Sequence, residues 1–143
     1  MRNKLFVLIA GIVAVTLFFG FLLAPAPPAP KTYELKVVKI EGIWRVVDAS
    51  DHSKKKIKVK KKDTIVWTVE GTDAHFQFST SVFNPKGVSD SLKNGSTKFI
   101  ADGKKLKLKV KDDAPVGTQV YAVFCSADGV FAQGESPPQI IID

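Results

Sequence analysis

Twenty consecutive residues, Leu5 to Ala24 (LFVLIAGIVAVTLFFGFLLA), contain no charged side chain. At about 1.5 Å rise per residue a helix over this run spans about 30 Å, the thickness of a bilayer's hydrocarbon core. Arg2 and Lys4 precede it, so the excess of positive charge predicts a cytoplasmic N-terminus and sends the chain after Ala24 across the membrane. A cleaved signal peptide is the competing reading, and it needs an apolar core of about 7 to 15 residues followed by a small-residue cleavage site. Here the core is longer, and a cut after Ala24-Pro25-Ala26 would leave Pro27 next to it. Proline there generally blocks signal peptidase, because its ring fixes φ and removes an N–H. The sequence therefore predicts four parts: cytoplasmic residues 1–4, a transmembrane signal anchor at 5–24, a Pro-rich spacer at 25–31, and a periplasmic or extracellular domain at 32–143. The spacer reads as a semi-rigid polyproline-type stalk.

What remains is about one domain's worth of chain. The single cysteine rules out an internal disulfide, a Cys-rich metal knuckle, a CxxCH haem attachment and a two-cysteine copper centre. With only His52 and His75 present, a three-histidine zinc or copper site cannot be built within one chain. A hydrolytic triad would have to use one of the same two residues, and no nucleophile with an oxyanion arrangement accompanies either. The expectation is a protein that is not an enzyme.

From Lys31 onward apolar residues alternate with polar ones, and turn signals recur every 8 to 12 residues, which is a β pattern. Predicted strands are Glu34 to Ile40, Ile43 to Val47, Lys56 to Lys60, Thr64 to Val69, His75 to Ser79, Ser96 to Ile100, Lys105 to Lys111, Gln119 to Cys125 and Gln139 to Ile142. Ile57 and Val59 alternate with Lys56, Lys58 and Lys60, and Leu106, Leu108 and Val110 with Lys105, Lys107, Lys109 and Lys111. One apolar and one lysine face per strand suits a half-buried strand of an antiparallel sandwich. Gly71, Pro85-Lys86-Gly87, Asn94-Gly95, Asp102-Gly103, Pro115-Val116-Gly117 and Asp128-Gly129 supply turns. The predicted fold class is all-β.

Two stretches carry a resemblance. KIKVKKKDTIVWTVEGTDAHFQF, residues 56 to 78, resembles the cupredoxin segment in which two strands lead to a loop ending in the first copper-binding histidine. DDAPVGTQVYAVFCSADGVFAQ, residues 112 to 133, is similar to that family's final hairpin, with a Pro/Gly turn, a strand holding a tyrosine, the ligand cysteine and the ligand loop. The resemblance implies a Greek-key, cupredoxin-like β-sandwich, here on a single N-terminal transmembrane helix.

A blue-copper site takes two imidazoles and a thiolate, with a weak axial Met, Gln or carbonyl. The resemblance puts His75 at the first histidine position and Cys125 at the cysteine. In a plastocyanin-like loop the second histidine follows the cysteine by three residues and the axial ligand by eight. Asp128 and Gln133 occupy those places, and no histidine follows Cys125. Gln133 is compatible with a stellacyanin-like axial ligand, whereas Asp128 replaces an imidazole with a hard carboxylate. The set His75, Cys125, Asp128 and Gln133 is accordingly read as a vestigial or low-affinity copper site. No resident cofactor is expected, with copper the one metal left open. His52, in the Asp51-His52-Ser53 turn, is not recruited.

Lys54, Lys55, Lys56, Lys58, Lys60, Lys61 and Lys62 place seven cations in nine residues. They read either as a solvated strand face protected from aggregation or as a surface for an anionic partner, which is an acidic protein or lipid headgroups near the anchor. Nucleic acid is not expected outside the cytoplasm, and the aromatics are not interleaved with the lysines as a stacking platform requires. By analogy with the family, the rim at Val130 and Phe131 is a candidate docking surface. The expected function is a membrane-anchored binding or scaffolding module lacking type 1 copper, an accessory subunit of a membrane complex such as an electron-transport assembly. The expected partners are membrane lipid through Leu5–Ala24 and other complex subunits or an acidic protein. The alternative is a copper electron carrier or Cu(I) holder using His75, Cys125, Asp128 and Gln133.

Overall fold

The period-two alternation of apolar and polar residues settles which side chains of each strand enter the core. A computed structural model describes residues 26–79, 81–83, 96–134 and 137–143. The segment Leu5–Ala24, expected to cross the membrane, and the turns at Pro85-Lys86-Gly87 and Asn94-Gly95 lie outside the described residues. Among the described residues the strands are β1 (Thr32–Ile40), β2 (Ile43–Asp48), β3 (Lys56–Val59), β4 (Thr64–Val69), β5 (Ala74–Phe78), β6 (Ser96–Ile100), β7 (Lys105–Lys109), β8 (Gly117–Val120), β9 (Ala122–Cys125), β10 (Val130–Phe131) and β11 (Gln139–Ile142). The lysine-faced strands behave as their pattern dictates: Ile57 and Val59 of β3, and Leu106 and Leu108 of β7, point inward while the intervening lysines are exposed.

Hydrogen bonding orders the strands as β2-β1-β4-β7 in one layer, and as β10-β9-β5-β6 and β3-β11-β8 in the other. β8 and β9 are separated only by Tyr121, whose N–H donates to the Pro138 carbonyl at 3.1 Å, so the last two sheets share one strand line. The expected single strand Gln119 to Cys125 is therefore two segments. β8 pairs with β11 and β9 with β5, and the β11 ladder stops at Pro138, which has no N–H to offer. The pairings also depart from a purely antiparallel sandwich, because β1 runs parallel to β4 and β11 parallel to β3. The chain crosses between layers after β2, β3, β4, β6 and β7, so sequence neighbours often lie in different sheets.

The core between the layers is centred on Trp67, which is fully buried. Its indole meets the rings of Phe76, Phe78, Phe83 and Tyr121 at centroid distances of 5.3 to 6.0 Å, mostly edge to face. Its N–H donates to the Tyr121 hydroxyl at 3.1 Å, which satisfies the one polar atom the indole brings inside. Burial pushes the Tyr121 phenol pKa well above its ordinary value, against the smaller lowering effect of that hydrogen bond.

Candidate functional site

Cys125 is the last residue of β9 and has no exposed surface. Its cross-strand partner on β5 is Ala74, also fully buried, and both point into the core. His75 follows Ala74 by one residue, so the pleat turns it to the opposite, outer face, where it is exposed. Burial, followed by the nearby charge of Asp128, pushes the Cys125 thiol up to about 11. The environment thus favours the protonated thiol over the thiolate that ligates metals.

The connection from β9 to β10 is a closed turn. Gly129 N–H returns to the Cys125 carbonyl at 3.0 Å, with Gly129 at φ 66°, a left-handed value that glycine adopts without steric cost. Ser126 N–H donates to the Asp73 carbonyl at 2.9 Å and Ala127 N–H to the buried hydroxyl of Thr72 at 3.1 Å. Asp128 is thereby presented to the β1–β2 hairpin. Its Oδ2 accepts from Lys39 Nζ at 2.6 Å and from Trp44 Nε1 at 2.7 Å, while the Lys39 ammonium stands 5.7 Å from the centre of the Trp44 ring. The Lys39 and Trp44 hydrogen bonds hold the Asp128 carboxyl below its ordinary pKa. Gln133 is exposed and engaged through its backbone, its N–H donating to the Trp44 carbonyl at 2.8 Å and its carbonyl accepting from Val46 N–H at 2.9 Å.

The four expected ligands are therefore not gathered. Cys125 faces the core, His75 the outside of the same sheet, Asp128 is engaged by a lysine and an indole, and Gln133 stitches its segment to β2. Among the described residues no group of three or more His, Cys, Asp or Glu side chains is placed to hold a metal ion. The residues do not fit a type 1 copper centre, which requires two imidazoles around an accessible thiolate. His52 lies in the exposed turn between β2 and β3.

His75 instead belongs to a row of rings crossing the outer face of four adjacent strands. Phe99 of β6 pairs with His75 of β5, His75 with Phe124 of β9, and Phe124 with Phe131 of β10. Centroid separations along the row are 5.0, 6.3 and 5.4 Å. Phe99 is 56% and Phe131 63% exposed, and Val130 beside it is 44% exposed. Single exposed apolar residues are ordinary, but an unbroken aromatic row on a sheet surface is not.

The lysine run divides in space. Lys56 and Lys58 stand on the outer face of β3, and Lys54 lies 3.4 Å from the Asp51 carboxylate. Lys60, Lys61 and Lys62 form the turn into β4. Residues with no sequence signal for their roles are Lys39 and Trp44, which clamp Asp128, and Phe99, which completes the aromatic row. The alternation within Ser96–Ile100 gave no warning of it, because Phe99 follows Lys98 and would be expected to face inward.

No protein-family model matches the chain, and no curated protein matches it. Solved structures similar to it include forms of amicyanin. The Cu(I) form of a methionine-to-glutamine variant is 11% identical with a TM-score of 0.44, over 81% of this chain and 95% of that chain. The reduced form of a tryptophan-to-tyrosine variant is 9% identical with a TM-score of 0.43, over 83% and 87%. The reduced Cu(I) form at pH 4 of a proline-to-glycine variant is 11% identical with a TM-score of 0.40, over the same shares.

Proposed function

We propose that the chain is a membrane-anchored, extracytoplasmic, cupredoxin-like binding module that engages another subunit of a membrane complex and does so without a type 1 copper centre. The observation that carries this reading is the placement of His75. The residue that would begin a copper site sits on the outer face, between Phe99 and Phe124, on the side of the sheet opposite Cys125. The same placement removes a ligand from the core side and adds a ring to a surface suited to protein contact, since interface cores are enriched in aromatic residues. The layer order and the strand ending in Cys125 support the cupredoxin-like assignment, and the apolar run Leu5–Ala24 supports the anchor. The exposed lysines of β3 flank the module with positive charge and would steer an acidic partner.

Copper loading of the purified full-length chain, followed by metal analysis and visible absorption, tests the reading. The expected result is far less than one copper per chain and no intense blue band. A blue protein with stoichiometric copper, lost in Cys125→Ser, would overturn it.

A further inference from the structure

The N-terminal segment joins the domain at a built corner. Lys31 N–H donates to Asp63 Oδ1 at 2.8 Å, Lys60 N–H to Asp63 Oδ2 at 2.8 Å, and Thr64 N–H to the Lys31 carbonyl at 2.8 Å. Asp63 is buried and its carboxylate is spent on these two backbone groups. Lys62 adopts φ 73°, so Lys60, Lys61 and Lys62 turn around the corner instead of alternating between two faces as they would on a strand. Between this turn and the incoming chain lies a groove of about 470 Å³ lined by Pro27 to Lys31, Tyr33 and Lys60 to Asp63. Its lining therefore brings together four lysines, Lys31, Lys60, Lys61 and Lys62. Lys62 shares the exposed Asp112 at 3.7 Å, and no carboxylate partner is found for the other three among the described residues.

We propose that this groove seats the phosphate headgroup of an anionic lipid in the bilayer that holds Leu5–Ala24. The assignment rests on the membrane-anchored reading above. The lysines of the lining match the charge of a phosphate, and Pro27, Pro28, Pro30 and Tyr33 add apolar and aromatic lining suited to the rest of a lipid. The location argues for lipid over a soluble anion. Only the residues from Pro25 to Pro30 separate the apolar run from Lys31, a reach of about 20 Å as extended polyproline. Headgroups are thus held near the lysines at a high effective concentration, and engaging one is an intramolecular step. The lysine run consequently serves two surfaces. Lys60 to Lys62 line the groove with Lys31, whereas Lys56 and Lys58 stand on the outer face of β3 and are not part of the lining.

Reconstitution of the full chain into vesicles of phosphatidylcholine, with and without phosphatidylglycerol, provides the test. Acetylation of each lysine is read by mass spectrometry, with Lys105, at the far end of β7, as internal reference. Lys31, Lys60, Lys61 and Lys62 are expected to be protected about threefold or more by the anionic lipid, as basic residues near such a surface are drawn to it. The protection should vanish in about 1 M salt, where the Debye length is about 3 Å. In the triple variant Lys60→Gln, Lys61→Gln, Lys62→Gln, Lys31 should lose its protection. A chain that survives an alkaline wash in both vesicles but labels equally in both overturns the lipid seat and leaves the anchor intact. A chain washed from both overturns the anchor and the lipid seat together.

Discussion

Cys125 gives the sharpest quantitative expectation, because its burial and its chemistry act in the same direction. A thiol at the ordinary value of 9.0 is about 9% thiolate at pH 8, whereas one pushed up to about 11 is about 0.1% thiolate, a roughly 90-fold difference in nucleophile. The sulfur also has no exposed surface, so a reagent that cannot reach the closed state reacts through an opening of β9 away from β5 and β10, whose rarity then sets the rate. Labelling of the full chain with a maleimide at pH 8, native and in denaturant, measures both effects. Native labelling is expected to be at least about 100-fold slower. It should still climb roughly tenfold per pH unit up to about pH 10, where the unfolded thiol has levelled off. A native rate within a few-fold of the denatured one would refute the placement of Cys125 in the core.

Three further outcomes are expected. Tyr121→Phe removes the acceptor of the Trp67 N–H without opening a cavity, and leaving that buried donor unpaired should cost about 1 to 3 kcal/mol in chemical denaturation, whereas the double variant Tyr121→Phe, Trp67→Phe should not show the same coupling. The Asp128 pKa is depressed in the folded chain, so its contribution to stability is present above the ordinary value of 3.8 and is lost as pH falls through the folded-state value. Asp128→Asn should therefore flatten the acid limb of a pH–stability curve, and an unchanged limb would mean that the Lys39 and Trp44 contacts do not stabilise the fold. Phe131→Asp lies on an exposed ring and should leave the melting temperature within about 2 °C while abolishing the photo-crosslinking, from the outer face of β9–β10 to a second protein, that the proposed docking role requires.

Much of the layer structure was legible because alternation is a local property. Ile57 and Val59, or Leu106 and Leu108, declare their face within a few residues, and Asp102-Gly103 and Asp128-Gly129 mark where the chain must turn. Alternation says nothing about which strand lies alongside. The parallel pairing of β1 with β4 and of β11 with β3 was accordingly unreadable. The candidate site suffered from the same limit in a sharper form. A motif fixes spacing along the chain, but the side of the sheet depends on the parity of the first paired residue. β5 begins at Ala74 and not at His75, and that single step turns the imidazole away from Cys125. Asp128 lies 89 residues from Lys39 and 84 from Trp44, and no local pattern announces either partner.

The way the N-terminal segment enters the domain has a mechanical consequence. β1 follows directly from the Pro-rich stretch, is nine residues long, and lies between β2 and β4 with hydrogen bonds to both. A pull arriving through that segment runs along the strand, across its ladder bonds, and must shear two ladders together instead of peeling one rung at a time from an open edge. Asp63, gripping the Lys31 N–H ahead of the first rung, takes load before either ladder does. A domain entered in this manner can bear tension between the chain that precedes Lys31 and whatever holds its opposite end.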